Sequence, residues 1–90
     1  KTSTSKKHMN FVSEPLGEKP ICEVPGIGPV YGEKLTQGGF DKAYVLLGQY
    51  LLLKKDNQTF EEFLMDEYGI SKRSAEMCSN GFASYSENNL

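Results

Sequence analysis

The chain is constrained most strongly by two glycines that flank one apolar residue in the sequence Gly26-Ile27-Gly28. Glycine adopts backbone angles that other residues avoid, so the chain can turn tightly here while Ile27 points into a core. Pro29 follows directly, and proline is favoured at the first position of an α-helix because its missing N–H is not needed there. The pattern predicts a tight hairpin that leads into a new helix at Pro29.

A hairpin of this kind is predicted to bind phosphate through its backbone. The first amides of an α-helix have no acceptor within the helix, and their partial positive charge attracts anions. A plain turn between two helices is the alternative, but Pro29 and the small residue Gly32 fit the phosphate-binding motif better. Lys34 lies just past the hairpin and is predicted to reach a second phosphate, unless it is an ordinary solvated lysine. The backbone groups expected to face phosphate belong to Gly26, Ile27, Gly28 and Val30.

Two further groups of cations stand at predicted helix starts, where positive charge opposes the helix dipole. Lys6-Lys7 precedes the first helix, and Lys72-Arg73 begins the last one. A negatively charged partner would account for both placements, although a disordered tail accounts equally well for the first. Lys7 and Arg73 therefore join the candidate phosphate-binding residues.

Hydrophobic periodicity along the rest of the chain predicts an all-α fold, a compact bundle of five to six short helices. Ninety residues are enough for one small domain and too few for two. We therefore expect a single domain over residues 1–90, with residues 1–5 as a frayed tail and residues 20–37 as the helix-hairpin-helix. Helices are expected over about 5–13, 29–37, 42–54, 57–68 and 72–87, with a short helical turn at 21–24.

Residues with a known preference for helix ends stand at most of these boundaries. Gly38-Gly39 and Gly69 are expected to stop helices, because glycine tolerates the left-handed conformation found there. Asp41, Asp56 and Ser71 are expected to cap the helices that follow, since a side-chain oxygen can accept from a free N-terminal amide.

The helix expected at 42–54 is apolar on nearly every side, with the sequence Ala-Tyr-Val-Leu-Leu-Gly-Gln-Tyr-Leu-Leu-Leu over residues 43–53. A helix that is apolar all round must be covered all round. A chain of 90 residues cannot supply that cover alone, so part of this helix is predicted to lie at an interface. The run is too short to cross a membrane.

Charge and cysteine content narrow the classes of function. The net charge of −2 argues against nucleic-acid binding by bulk electrostatics, and it leaves room for a local basic surface. Residues 1–42 hold six lysines against five acids, so such a surface should draw on this half. Cys22 and Cys78 form neither a disulfide framework nor a zinc motif, which favours a reduced intracellular setting. No nucleophile and base, P-loop or dinucleotide motif is present, so we expect no enzyme.

Three stretches of this sequence resemble the barrier-to-autointegration factor family. The first is Lys-His-x-x-Phe-Val-x-Glu-Pro-x-Gly-Glu-Lys over residues 7–19, the second is the hairpin, and the third is Gly39 to Asp56. The likeness covers nearly the whole chain and is dense from Lys7 to Phe63, which makes it far more specific than the hairpin alone. The chain is therefore identified as a member of this family, as an orthologue or a divergent paralogue.

The resemblance implies a SAM-like helical chromatin protein that forms homodimers, binds double-stranded DNA without sequence preference and bridges duplexes. It also implies a groove for LEM-domain proteins of the inner nuclear membrane and contacts with lamin and histones. The implied location is the nucleus, at chromatin and the nuclear envelope, and also the cytoplasm; no cofactor, metal or membrane insertion is expected. The implied DNA-binding residues are Lys7, Gly26, Ile27, Gly28, Val30, Lys34 and Arg73. The residues implied for the dimer contact and partner groove are Gly48, Leu51, Leu52, Leu53 and Phe63.

Hydroxyl residues beside the N-terminal lysines are candidate phosphorylation sites. In the family, phosphorylation of this region releases DNA, and Ser3, Thr4 and Ser5 are the candidates here. A phosphate adds roughly −1.5 to −2 charges, which would oppose binding of a polyanion. A simple Ser/Thr-rich frayed end is the stronger interpretation from the sequence alone.

Some positions depart from the family pattern and leave a second function open. Glu33 and Met65 stand where basic residues are common, Phe63 stands where tryptophan is common, and the tail over residues 84–90 differs. Together with the acidic balance, Glu33 and Met65 favour the alternative of a dimeric protein-interaction module that binds LEM-type partners or a partner subunit, with weak or no DNA binding.

Overall fold

A computed structural model describes residues 6–90 of this protein. These residues form five α-helices and one short 3-10 turn, and they contain no β-strand beyond a single isolated bridge. The helical fold confirms the all-α prediction, and the principal extents are 29 × 27 × 25 Å. The elements are α1 (Lys6–Ser13), the 3-10 turn (Ile21–Glu23), α2 (Pro29–Gln37), α3 (Ala43–Leu52), α4 (Asn57–Tyr68) and α5 (Lys72–Asn89).

Two of the predicted helix ends are built as expected. Gly69 adopts a left-handed conformation after α4, with φ of 63°, and the N–H of Ile70 donates to the carbonyl of Leu64. At the start of α5, the Ser71 hydroxyl accepts from the N–H of Ser74 at 3.2 Å. These are the bonds that satisfy the otherwise free groups at helix ends.

The predicted cap at Asp41 is wrong. Lys42 is the N-cap residue of α3, and no side chain caps this helix. The backbone before α3 pairs instead with the segment before the hairpin: the N–H of Ile21 donates to the Asp41 carbonyl, and the N–H of Ala43 donates to the Lys19 carbonyl. This pairing holds the chain extended at Lys42, so the helix begins at Ala43.

The turn between α3 and α4 is made by two lysines in the left-handed region. Lys54 and Lys55 have φ of 65° and 60°, a conformation that costs a residue with a Cβ about 1–2 kcal/mol. For this reason α3 ends at Leu52, although its apolar pattern predicts a helix to residue 54. The left-handed pair turns the chain sharply enough for Asp56 to become the N-cap residue of α4.

Aromatic side chains from four helices fill the centre of the molecule. The ring of Phe82 on α5 packs within 5.4 to 5.8 Å of the rings of Phe11, Tyr50 and Phe60. All four residues are at most 1% exposed. Burial of such side chains contributes about 1.5–3 kcal/mol each, so this cluster stabilises the packing of α1 and α5. It also fixes where α5 lies beneath the hairpin.

Helix α3 is apolar on both its inner and outer faces. Its inner face, which includes Leu46 and Tyr50, is buried. Its outer face exposes Tyr44, Leu51 and Leu52, at 49%, 40% and 73%. The single chain therefore leaves uncovered the part of α3 that the sequence predicts to lie at an interface.

Candidate nucleic-acid interface

The hairpin between the 3-10 turn and α2 is tight and anchored by Ile27. The Ile27 N–H donates to the carbonyl of Val24 at 3.0 Å, and both side chains are fully buried. Gly26 has φ of 83°, a left-handed angle that favours glycine. The chain thus turns as the Gly-Ile-Gly pattern predicts, with Ile27 pointing into the core.

Helix α5 supports the hairpin from below, a role that the sequence analysis did not identify. A Cβ on Gly26 would overlap the backbone carbonyl of Ser74, so the two backbones are in direct contact. A Cβ on Gly81 would lie 2.9 Å from Pro25, which packs flat against α5 at that point. The available signal was Gly81 itself, because a glycine inside a helix costs about 1 kcal/mol and often marks a close approach.

The outer side of the hairpin presents the amino end of α2. Gly28 is the N-cap residue and has no side chain to cap the helix. Its backbone is extended, with φ of −103°, and a Cβ there would meet no atom within 4 Å. Val30 is 69% exposed in the first turn. The free amides of this turn therefore face open space, where an anion can approach them.

Lys7 brings a positive charge to the hairpin from α1. Its ammonium group donates to the carbonyl of Ile27 at 2.8 Å. An ammonium group has three donors, so two remain for other acceptors. The contact holds a cation on the carbonyl of Ile27, directly before the amino end of α2, and it joins residues that are 20 positions apart in the chain.

Lys34 lies on α2 and Arg73 lies on α5. Both are exposed. The Lys34 ammonium group lies 3.7 Å from the position that a Cβ on Gly69 would take, so it stands beside the end of α4. Arg73 is in the first turn of α5, and that turn is joined to α2 because the N–H of Ser71 donates to the hydroxyl oxygen of Tyr31 at 3.1 Å.

Glu33 is directed away from the hairpin. Its carboxylate accepts from the side-chain amide of Gln37, one turn further along α2, at 2.9 Å. The bond draws the negative charge toward the carboxyl end of the helix, and the charge is exposed to water. Glu33 therefore weakens the positive field at the amino end of α2 less than its place in the motif suggests.

The residues predicted for the dimer contact and partner groove fall into two groups. Gly48, Leu51 and Leu52 are exposed on the outer face of α3, and Leu53 is half-buried just after it. Phe63 is half-buried on α4, where its ring packs 5.9 Å from Phe40 and also contacts Phe60 and Tyr68. The outer face of α3 is thus a continuous apolar surface, while Phe63 belongs to an aromatic cluster.

The candidate phosphorylation sites Ser3, Thr4 and Ser5 lie outside the described residues.

The described part of the chain offers no site for a metal ion. Within residues 6–90, no three His, Cys, Asp or Glu side chains come together in a suitable arrangement. None of the helices in that range is long and apolar enough to span a bilayer.

The fold and this site define a small helical protein with a helix-hairpin-helix motif and a cation-flanked helix terminus. A model of the family described as barrier to autointegration factor matches residues 2–89. The chain therefore belongs to the barrier-to-autointegration factor family.

Curated relatives agree with this assignment over most of their length. Barrier-to-autointegration factor 1 of Caenorhabditis elegans is 55% identical over 78 residues, which cover 87% of this chain and 88% of that protein. Barrier-to-autointegration factor of Homo sapiens is 53% identical over 76 residues, 84% of this chain and 85% of the relative. The Danio rerio protein of the same name is 49% identical over 77 residues, 86% of each chain.

Proposed function

We propose that this chain binds double-stranded DNA without sequence preference and is not an enzyme. The observation that carries the proposal is the uncapped amino end of α2, beside which the Lys7 ammonium group is held on the Ile27 carbonyl. Backbone amides and a cation recognise a phosphate whatever the base sequence. Family membership supports the same choice, because the resemblance implies DNA binding.

We propose further that the protein acts as a homodimer that bridges DNA. The outer face of α3 supports this, since Leu52 is the most exposed large apolar residue among residues 6–90. Gly48 adds a second argument: it lies in the middle of a helix, and a Cβ there would meet open space within the chain. An exposed glycine weakens a helix by about 1 kcal/mol, and close approach of a second copy would explain it. Two hairpins would then act in one particle.

The remaining proposals come from the family resemblance. The dimer links DNA to LEM-domain proteins, lamin and histones, at chromatin and the nuclear envelope, with a further pool in the cytoplasm. Phosphorylation at Ser3, Thr4 or Ser5 would release DNA by adding negative charge near Lys7.

A protein-interaction module with little DNA affinity is the second candidate. It is favoured by a depression between α4 and α5 in which three carboxylates outnumber one cation; its lining includes Glu61, Glu62, Met65, Lys72 and Glu76. DNA binding remains the first proposal because those acids lie on α4 and α5, whereas Lys7 of α1 contacts the hairpin.

A titration of short fluorescent duplexes at several salt concentrations tests the DNA proposal. Phosphate-driven binding should weaken steeply between about 50 and 200 mM salt and should be equal for duplexes of different sequence. Gly28→Glu should abolish binding, because the new carboxylate blocks and repels phosphate while its Cβ has room in the fold. Gly26→Glu is a poorer test, since its Cβ overlaps Ser74 and damages the fold directly.

Asn88→Glu provides the matched control, because it adds the same negative charge at an exposed position at the other end of α5. It should bind DNA like the wild-type chain. Salt-independent binding, or a Gly28→Glu variant that binds normally, would refute the hairpin contact and leave the interaction module as the better proposal.

A further inference from the structure

Tyr31 joins the hairpin helix to the first turn of α5. Its phenol oxygen, on the first turn of α2, accepts from the N–H of Ser71 at 3.1 Å across 40 residues of sequence. Its ring lines a shallow depression of about 420 Å³ that it shares with Gly26, Gly28, Val30 and Ser74. Tyr31 therefore lies on the surface where the hairpin amides are exposed.

A second contact runs beside this bond. The backbone of Gly26 lies directly on the Ser74 carbonyl, so α2 contacts the N-cap residue Ser71 and the hairpin contacts α5 three residues later, at Ser74. Arg73 lies between these two points and is exposed. The backbone of Arg73 is thus held at a fixed place relative to the hairpin by the contacts on either side of it.

The pKa of the Tyr31 phenol is consistent with this hydrogen bond. Hydrogen bonds from Ser71 lower the pKa of the Tyr31 phenol below its usual value, and the nearby Lys34 charge lowers it further. The Tyr31 phenol oxygen therefore joins α2 to the start of α5 through the N–H of Ser71.

We propose that Tyr31 is a positioning residue for DNA binding: it holds the first turn of α5 against the hairpin, so that Arg73 and the amides of α2 contact one DNA strand as a single surface. The inference rests on the proposed function. It adds that Arg73 contributes to DNA affinity only while the hydrogen bond between Tyr31 and Ser71 is present. A purely structural Tyr31 would instead change stability and leave the number of phosphate contacts unchanged.

Tyr31→Phe removes the bridging oxygen and keeps the ring. We expect DNA affinity at low salt to fall roughly 3- to 10-fold, the range that the loss of one hydrogen bond corresponds to. The slope of log affinity against log salt should decrease by about one, because one phosphate contact is lost. Tyr68→Phe, which removes a hydroxyl from the aromatic cluster on α4, is the matched control and should change neither quantity.

A double-mutant cycle with Arg73→Gln separates positioning from stability. If Tyr31 acts through Arg73, the Tyr31→Phe change should cost little affinity once Arg73 is gone. Full additivity of the two changes, or an unchanged salt slope in Tyr31→Phe, would overturn the inference. Thermal unfolding of each variant confirms that the chains compared are folded.

The same experiment distinguishes this inference from the proposed function. A wild-type chain that binds DNA and a Gly28→Glu variant that does not, combined with a normal Tyr31→Phe variant, would refute only the role of Tyr31. A wild-type chain with no salt-dependent DNA binding would refute both.

Discussion

At the scale of single residues, the two hairpin glycines are required for different reasons. Gly26 has a left-handed backbone and no room for a side chain, since α5 lies directly against it. Gly28 is extended and faces open space, so the fold alone does not require glycine there. In the proposed function, the bare backbone at Gly28 lets a phosphate approach the amides of α2.

Alanine substitution should separate these two roles. Gly26→Ala should lower the free energy of unfolding by about 2–4 kcal/mol, because it adds backbone strain and overlaps Ser74. Gly28→Ala should change that free energy by less than about 0.5 kcal/mol, as substitutions at unconstrained surface positions do. Urea unfolding followed by circular dichroism measures both. Equal losses in the two variants would show that Gly28 is also a structural glycine.

The two cysteines also differ because of their surroundings. Cys78 is fully buried on α5, and burial raises the pKa of its thiol, with a further contribution from the charge of Glu61. Cys22 is exposed in the 3-10 turn, where it lines a depression with Lys6, Lys7 and Lys19. Only one of the two thiols is therefore available to reagents in the folded chain.

Iodoacetamide at pH 8 should label the native chain once, at Cys22, and label Cys78 only after denaturation. Mass spectrometry counts the labels, and a Cys22→Ser variant should take up none while folded. Fast labelling of that variant would show that α5 opens locally.

The raised pKa of Cys78 also makes stability depend on pH. A thiol that holds its proton more tightly in the folded state contributes stability that is complete below its unfolded pKa, about 8.5, and is lost as pH rises above it. The free energy of unfolding should therefore fall from pH 8 to pH 10.5, by at most about 1.4 kcal/mol per pH unit from this group. Urea unfolding should show a smaller fall in Cys78→Ala, and an equal fall would assign it to other groups.

At the scale of the helices, the N-cap residues Ser71 and Asp56 form different hydrogen bonds. The Ser71 hydroxyl accepts from the N–H of Ser74, which is a true N-cap bond. Asp56 occupies the same place before α4, but its carboxylate accepts from the Thr59 hydroxyl at 3.0 Å and makes no bond to a backbone amide. The amino end of α5 thus depends on its cap more than that of α4.

Ser71→Ala should destabilise the protein by about 1 kcal/mol, the usual cost of losing an N-cap. Asp56→Ala should cost about 0.5 kcal/mol, since an exposed hydrogen bond from the Thr59 hydroxyl and a favourable interaction with the helix dipole are lost, but no bond to a backbone amide. Thermal unfolding at one pH and salt concentration compares the two variants with the wild-type chain. A larger loss from Asp56→Ala would indicate that the loop containing Lys54 and Lys55 depends on that carboxylate.

At the scale of the whole molecule, one chain does not cover the apolar outer face of α3. Tyr44, Leu51 and Leu52 remain in water although they adjoin a well-packed core. Contiguous exposed apolar residues on a small domain mark an interaction surface. A second copy of the chain is the partner that the proposed function requires.

Leu52→Glu should therefore convert a dimer into a monomer, because it would bury a charge at the contact. Multi-angle light scattering should give twice the chain mass for the wild-type protein and the chain mass for the variant. Leu90→Glu is the control, since Leu90 is also apolar and 68% exposed but lies at the end of the chain. A wild-type chain that is monomeric at all concentrations would refute the dimer.

The sequence by itself determined the helices, most of their ends, the hairpin and the family. These features depend on local chemistry: the φ angles that glycine and proline allow, the period of the apolar residues, and capping by Ser71. Only the tertiary structure decided why Gly26 differs from Gly28, why Asp41 does not cap α3, and how Lys7 and Tyr31 are placed. Each of these depends on a contact between segments about 20 to 50 residues apart. Such contacts follow from the packing of distant segments against one another, which no local pattern in the sequence records.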